Sequence, residues 1–202
     1  MTPPRRRLSP DERRGQLARA AIEVVATAGF PGATADAIAE TAGVSKGLLW
    51  HYFDDRDALL EHAARETLVL LRRTVGSKID LDGPVDEVIR DAIHRAATLP
   101  TTHPREVRAL RDIALNLRAG DGSLRLGGGE YDETHRLQAE IFQRGVTEGT
   151  FRADLDPLPT AVLYQGLVDT MVGHLMDHPD VDAGLFADQV ADLLLRGIAS
   201  PA

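Results

Sequence analysis

Over residues 10–28 apolar side chains recur at spacings of three and four, at Leu17, Ala21, Val24, Val25 and Ala28, the repeat of a helix with one buried stripe. Arg13, Arg14, Arg19 and Glu23 fall on the outer face. Ser9-Pro10-Asp11-Glu12 marks the start: Ser9 can accept from a free backbone N–H, Pro10 suits the first turn, and Glu12 completes a capping box. Gly29 supplies the stop, and residues 30–33 form a short link. Thr34 is placed to cap a second helix over 35–42, which Gly43 ends. Ser45 caps a third, running through Tyr52 or Phe53, in which Leu49 and Phe53 at i and i+4 face inward beside Ile38 and the first stripe. Two short helices joined by a turn at Gly43 make the helix-turn-helix pattern.

Asp54 or Asp55 can cap a long fourth helix over 56–75, with Leu59, Leu60, Ala63, Leu68 and Leu71 as its apolar positions. After a turn-rich stretch, Val85, Val88, Ile89, Ala92, Ile93 and Ala96 make a fifth amphipathic helix ending before Pro100. Pro104 starts a sixth, to about Arg118, and residues 119–129, with five glycines, read as a mobile surface loop. A seventh helix is expected over 130–148, and two strongly apolar ones over 159–177 and 183–199. Few segments favour strand, and no period of 20 to 50 residues repeats. The expectation is an all-α chain of about nine helices, a three-helix helix-turn-helix head on a larger helical body. Its parts are a basic arm over 1–9, the head over 10–55 and the body over 56–202.

Composition narrows the classes. With 202 residues, 43% hydrophobic and 27% charged, the chain is long enough for a packed core and too apolar for wholesale disorder. It has no cysteine, which removes disulfides, thiolate metal sites and a cysteine nucleophile. The basic start MTPPRRRLSP lacks a following apolar segment, and no run approaches a membrane span, so the expected location is cytoplasmic. The net charge of −8 is uneven: residues 1–60 hold eight basic and eight acidic side chains, and all of the deficit lies beyond them. A neutral head on an acidic body is compatible with DNA, because contact depends on where the basic groups are presented.

Gly29-Phe30, Thr34, Asp36-Ala37-Ile38-Ala39, Ala42-Gly43-Val44-Ser45-Lys46-Gly47, Leu49-Trp50-His51-Tyr52-Phe53 and Arg56-Asp57-Ala58-Leu59-Leu60 resemble the amino-terminal domain of tetracycline-repressor-like (TetR/AcrR) transcriptional regulators. The resemblance covers about residues 13–60. It implies a homodimeric repressor that puts the third helix of each subunit into a major groove of a palindromic operator, and a body that takes a small-molecule effector and releases DNA. Members often carry Thr or Ser at the position of Leu48, and Lys at that of Arg56, so operator sequences do not transfer to this chain.

The residues themselves suit that task. Ser45, Lys46, Gly47 and Leu48 open the third helix, where a reader lies deepest in the groove. Lys46 can donate to guanine O6 or N7, Leu48 can touch a thymine methyl, and Gly47 permits close backbone approach. The Trp50 ring N–H and the Tyr52 hydroxyl suit phosphate oxygens, and Thr34 and Arg56, at the starts of the second and fourth helices, join them. His51 reads as a surface residue, and Arg5-Arg6-Arg7 as a minor-groove arm or a frayed tail.

In the body, polar and aromatic residues interrupt apolar segments and suit an effector pocket with few polar anchors: His94, Arg111 and Asn116, then His135, Gln138 and Phe142, then Tyr164, Gln165 and Asp169. The last two helices carry more apolar surface than one core needs, at Leu163, Leu167, Phe186, Val190, Leu193 and Leu194, with Gly166, Thr170 and Gly173 allowing close approach and His174 beside them. Two copies of that pair would make a four-helix dimer interface. The segment 149–154 and the helix after it also resemble, over a short stretch, the betaine-regulator-like branch of the family. His174 and His178 lack further ligands, so no metal, cofactor or catalytic residue is expected. The alternative reading is a metal-binding helical protein or enzyme whose helix-turn-helix head is a docking module.

Overall fold

The computed structural model describes residues 8–126 and 131–201. Among them are ten helices: α1 Pro10–Gly32, α2 Ala35–Ala42, α3 Lys46–Tyr52, α4 Arg56–Gly76, α5 Val85–Ala97, α6 Leu99–Thr102, α7 Pro104–Asn116, α8 Asp132–Thr147, α9 Pro157–Asp177 and α10 Ala183–Ile198. The chain is all-α, with only the isolated antiparallel bridges Arg118 to Leu124 and Phe151 to Ala199 among the described residues. The expected nine helices are present, and the one-turn α6 is the addition. The arm Arg5-Arg6-Arg7, the three glycines 127–129 and Glu130 lie outside the described residues.

Packing divides the chain into two compact units, Met1–Leu70 with Arg105–Gly127, and Leu71–Pro104 with Gly128–Ala202. Thus the unit that holds the three-helix head also holds most of α4 and nearly all of α7.

In the first unit Ser9 and Glu12 close the capping box of α1, the Glu12 N–H donating to Ser9 Oγ at 3.2 Å and the Ser9 N–H to Glu12 Oε2 at 2.8 Å. Gly29, at φ 72° and ψ 171°, interrupts α1 where an L residue would be strained, and a last turn carries the chain through Pro31 to Gly32. Leu17, Ala21 and Val25 are fully buried with Ile38, Leu49, Leu59 and Leu60, and α7 adds Ala109 and Ile113. Each leucine or isoleucine so buried contributes about 1.5–3 kcal/mol, which is what holds the eight-residue α2 and seven-residue α3, too short to be stable alone, against α1. Ala28, placed in the stripe by its spacing, is exposed instead, because it belongs to the last turn before the break at Gly29.

Of the surface loop expected over 119–129, the described residues 119–126 do lie mostly at the surface, and their base is fastened to the first unit. Leu117 is buried in the first unit, the Arg125 N–H donates to Leu117 O at 2.9 Å, and Arg125 pairs with Glu61 of α4 at 3.0 Å. Residues 117–126 therefore form a closed turn fastened to that core.

The second unit packs Ile93 of α5, Phe142 of α8, Ala161, Tyr164 and Met171 of α9, and Ala187, Ala191 and Leu194 of α10 around one core. Gly145 of α8 lets the Phe151 ring approach so closely that a Cβ there would sit 2.2 Å from Phe151 Cδ2. Two arginines satisfy carbonyls that helix ends and turns leave open. Arg95 donates to Thr74 O at 2.6 Å and Val75 O at 2.5 Å, and Arg144 donates to Gly83 O at 2.9 Å and also to Leu81 O. No helix among the described residues is long and apolar enough to cross a membrane.

Candidate nucleic-acid interface

The helix-turn-helix is built by local caps. Thr34, extended at φ −74°, accepts the Ala37 N–H and starts α2. Gly43 takes the left-handed conformation, φ 65° and ψ 36°, and its N–H closes on Ala39 O and Glu40 O, so the chain turns sharply. Ser45 then accepts the Leu48 N–H at 3.2 Å and starts α3. Gln16 of α1 donates to Ala42 O at 2.8 Å and fixes the end of α2 from below; nothing in the local spacing pointed to that bond.

With Leu49 and Phe53 turned into the core, α3 presents Ser45, Lys46, Gly47, Trp50 and His51 to solvent. A Cβ on Gly47 would meet nothing closer than Ser45 Oγ at 4.0 Å, so the backbone there is open to close approach. Trp50 is 39% exposed. Leu48 and Tyr52 are half-buried flanks rather than fully open positions. His51 shares the outward face and packs edge-on to Tyr52 with ring centroids 5.2 Å apart, an exposed residue as its sequence reading expected.

Two cations behave differently from their plain sequence reading. Lys46 Nζ donates to Asp36 Oδ2 of α2 at 2.8 Å. Arg56 donates from Nε to Ala33 O at 2.8 Å and from Nη2 to Phe30 O, and its guanidinium lies 4.5 Å from the Phe30 ring centroid. That side chain ties the start of α4 to the last turn of α1, and what it can offer a phosphate is the remaining edge, which also touches Asp57 at 3.4 Å.

In the second unit part of the effector set comes together. Gln138 of α8 donates to Gln165 Oε1 of α9 at 2.8 Å, and Gln165 donates to Asp169 Oδ1 at 2.8 Å. His135 stacks on Tyr131 at 5.8 Å, and Phe142 meets Tyr164 edge-on at 5.8 Å. Surrounding protein atoms push the Asp169 carboxyl above the usual carboxylate range, with opposing help from Gln165, His135 and Arg72. Burial, then the charge of Asp169, raises the Tyr164 phenol, and the same causes push Tyr131 up to about 12. His94 is elsewhere, on Asp188 at 3.0 Å beside Arg90. Arg111 and Asn116 belong to α7 in the first unit, where Asn116 donates to Asp112 O at 2.8 Å. The nine positions are thus one cluster and three separate residues, because polarity on an amphipathic helix does not say which neighbour it faces.

The α9 and α10 positions also sort by burial. Leu163 and Leu193 are 69% and 68% exposed, and Gly166, Thr170 and His174 share that outer surface. Leu167, Gly173 and Phe186 are half-buried, whereas Val190 and Leu194 lie in the core of the second unit. His174 and His178 stack at 4.2 Å, with His178 Nδ1 3.0 Å from His174 O, and no group of three or more metal-binding side chains occurs among the described residues.

Helix, left-handed glycine turn and outward second helix define a helix-turn-helix domain. Residues 17–63 match the family model described as bacterial regulatory proteins, tetR family. The HTH-type transcriptional regulator BetI of Ectopseudomonas mendocina is 40% identical over 75 residues, 36% of this chain and 38% of that protein. BetI of Burkholderia cenocepacia is 38% identical over 73 residues, 34% of this chain and 38% of that protein. The match therefore spans about two fifths of the length of these curated relatives. Over the whole chain the fold is similar to that of the fatty acid degradation regulator FadR from Bacillus halodurans, with TM-score 0.77, 22% identity, and 97% of this chain and 100% of that chain covered. It is also similar to FadR from Bacillus subtilis in complex with stearoyl-CoA, with TM-score 0.74, 21% identity, and 91% and 98% covered. Residues 17–63 of this chain are thus similar to the amino-terminal domain of the tetR family of bacterial regulatory proteins.

Proposed function

We propose that this protein is a DNA-binding transcriptional regulator that acts as a repressor, binds a palindromic operator as a homodimer, and is released by a small-molecule effector. The observation that carries the reading is the outward face of α3, where Ser45, Lys46, Gly47, Trp50 and His51 are exposed together beyond the Gly43 turn. Lys46 reads a guanine edge, Leu48 offers its exposed part to a thymine methyl, and Thr34, Trp50 and Tyr52 hold phosphates. Arg56 acts chiefly by holding α4 to the turn before α2.

Dimerisation is assigned to α9 and α10. Leu163 and Leu193, with the exposed Val162 and Leu185, leave an apolar surface that a second copy covers. Two α3 helices set about 34–36 Å apart then meet successive major grooves.

The effector is assigned to the second unit, with Gln138, Gln165 and Asp169 as polar anchors beside the aromatic Phe142 and Tyr164. A relative of the same fold was solved with stearoyl-CoA, which supports a ligand-responsive body without naming this ligand. Release requires an effector that favours one of two body shapes, and α4, with residues in both units, is the proposed lever. Purified protein exposed to a small-molecule library, with operator release as the readout, tests this half. A library in which every compound that binds the body leaves operator affinity unchanged contradicts it.

A further inference from the structure

The outward face of α3 carries one formal cation and, beside it, one anion. Lys46 is the first residue of α3 and Asp36 sits in the first turn of α2, ten positions earlier. Their contact, Nζ to Oδ2 at 2.8 Å, joins side chains that are 49% and 75% exposed. Of the other residues on the face, Ser45, Gly47 and Trp50 bear no charge, and His51 lies a full turn beyond Lys46.

An exposed pair of this kind is weak and yields readily to a better set of partners. It nevertheless has an electrostatic consequence. With a carboxylate in contact, the lysine presents almost no net charge to a phosphate several ångströms away, so it adds little to the sequence-independent attraction that dominates nonspecific binding. Separating the two on random DNA leaves Asp36 unpaired near a polyanion. On a guanine edge the ammonium, with three donors, gains O6 and N7, two acceptors aligned for it in the major groove. Only the second exchange compensates for the lost carboxylate.

We infer that Asp36 is a specificity-determining residue: it withholds Lys46 from general phosphate attraction and surrenders it to guanine-type acceptor edges. The inference rests on the DNA-binding reading above and adds a residue to it. Asp36 works against binding in general and in favour of discrimination, as like-charge elements do at specific interfaces.

The test compares the parent chain with Asp36→Asn, Asp36→Ala, Lys46→Ala and the double variant Asp36→Ala with Lys46→Ala. Two probes are used: a duplex recovered by the parent from a randomised pool, and a random-sequence duplex of equal length, each titrated over a range of salt concentrations. Both Asp36 variants are expected to tighten on the random duplex by about two- to fivefold per head, the size of an exposed pair. Their salt dependence should steepen by about one phosphate contact per head. Affinity for the recovered duplex should change less, so the ratio between the probes falls. In the Lys46→Ala background the removal of Asp36 should relieve only its own repulsion of phosphates, a smaller gain that is the same on both probes. Equal tightening on both probes, a gain just as large without Lys46, or no gain on the random duplex would each overturn the proposal. Helix content and melting of the two Asp36 variants, which keep the Thr34 cap, establish that the head is folded. A parent protein that recovers no preferred duplex fails the DNA-binding reading itself, before any variant is compared.

Discussion

The guanidinium of Arg56 lies 4.5 Å from the Phe30 ring centroid while donating to the carbonyl oxygens of Phe30 and Ala33. One side chain thereby closes the turn between α1 and α2 from the start of α4. Arg56→Ala should destabilise the head by about 1–3 kcal/mol, combining charge-assisted hydrogen bonds to part-buried carbonyls with a cation–π contact. Arg56→Lys should recover only part, because an ammonium cannot fork across two carbonyls and stack on a ring. Denaturant unfolding checks this. An Arg56→Ala protein of unchanged stability and weakened DNA affinity would return the residue to a purely phosphate-binding role.

Gly145→Ala would drive a methyl group into the Phe151 ring. The expected cost is about 1–3 kcal/mol, as for other overpacked cores, and it should fall on the second unit. Shortening the aromatic partner with Phe151→Leu in the same protein should recover part of the loss. Additive losses in the double variant would mean that the two positions do not share that contact.

The exposed and buried apolar residues of α9 and α10 predict opposite phenotypes. Leu163→Glu and Leu193→Glu should give folded monomers in sedimentation experiments, because both side chains point away from their own core. Val190→Ala and Leu194→Ala should instead lower stability by about 1–4 kcal/mol through cavities. Dimers that survive both glutamate substitutions would move the interface elsewhere.

Alkaline stability follows from the two raised phenols. Tyr131, moved from 10.0 to about 12, and Tyr164, moved further up, keep their protons in the folded protein. The unfolded chain loses them near pH 10, so above that pH the folded state binds more protons and stability falls as pH rises. For Tyr131 the loss runs from about pH 10 to about pH 12. Tyr131→Phe should remove its share of the slope over that window and leave the neutral-pH stability nearly unchanged, while Tyr164→Phe should remove an equal share there and also the slope that continues beyond it. Identical alkaline slopes in parent and both variants would contradict the burial of these rings.

What was legible in the sequence was mostly local. The Ser9 capping box, the Thr34 and Ser45 caps and the Gly43 turn each depend on bonds spanning three or four residues, so spacing alone locates them. The helix boundaries follow, and with them the outward face of α3. What was not legible was long-range. The Arg56 tie reaches back 26 residues to Phe30, and Arg144 reaches 63 to Leu81. The excess of apolar positions on the last two helices likewise did not say that Val190 and Leu194 belong to the core and Leu193 to the surface. The glycines after Gly120 read as an open loop because nothing local announces that Leu117 and Leu126 pack onto the head. Asp36, a plain surface carboxylate by spacing, acquires its meaning only from the turn that sets it against Lys46.

The central claim, that the outward face of α3 reads base edges, is tested most directly by selecting duplexes from a randomised pool with purified protein and repeating the selection with Lys46→Ala. The account predicts an enriched inverted repeat whose half-sites lie about one helical turn apart. It predicts that Lys46→Ala weakens binding to that repeat by about 1–3 kcal/mol and relaxes the preference at a guanine position. Recovery of no sequence above the random background, or of the same sequence with the same affinity after Lys46→Ala, would contradict it.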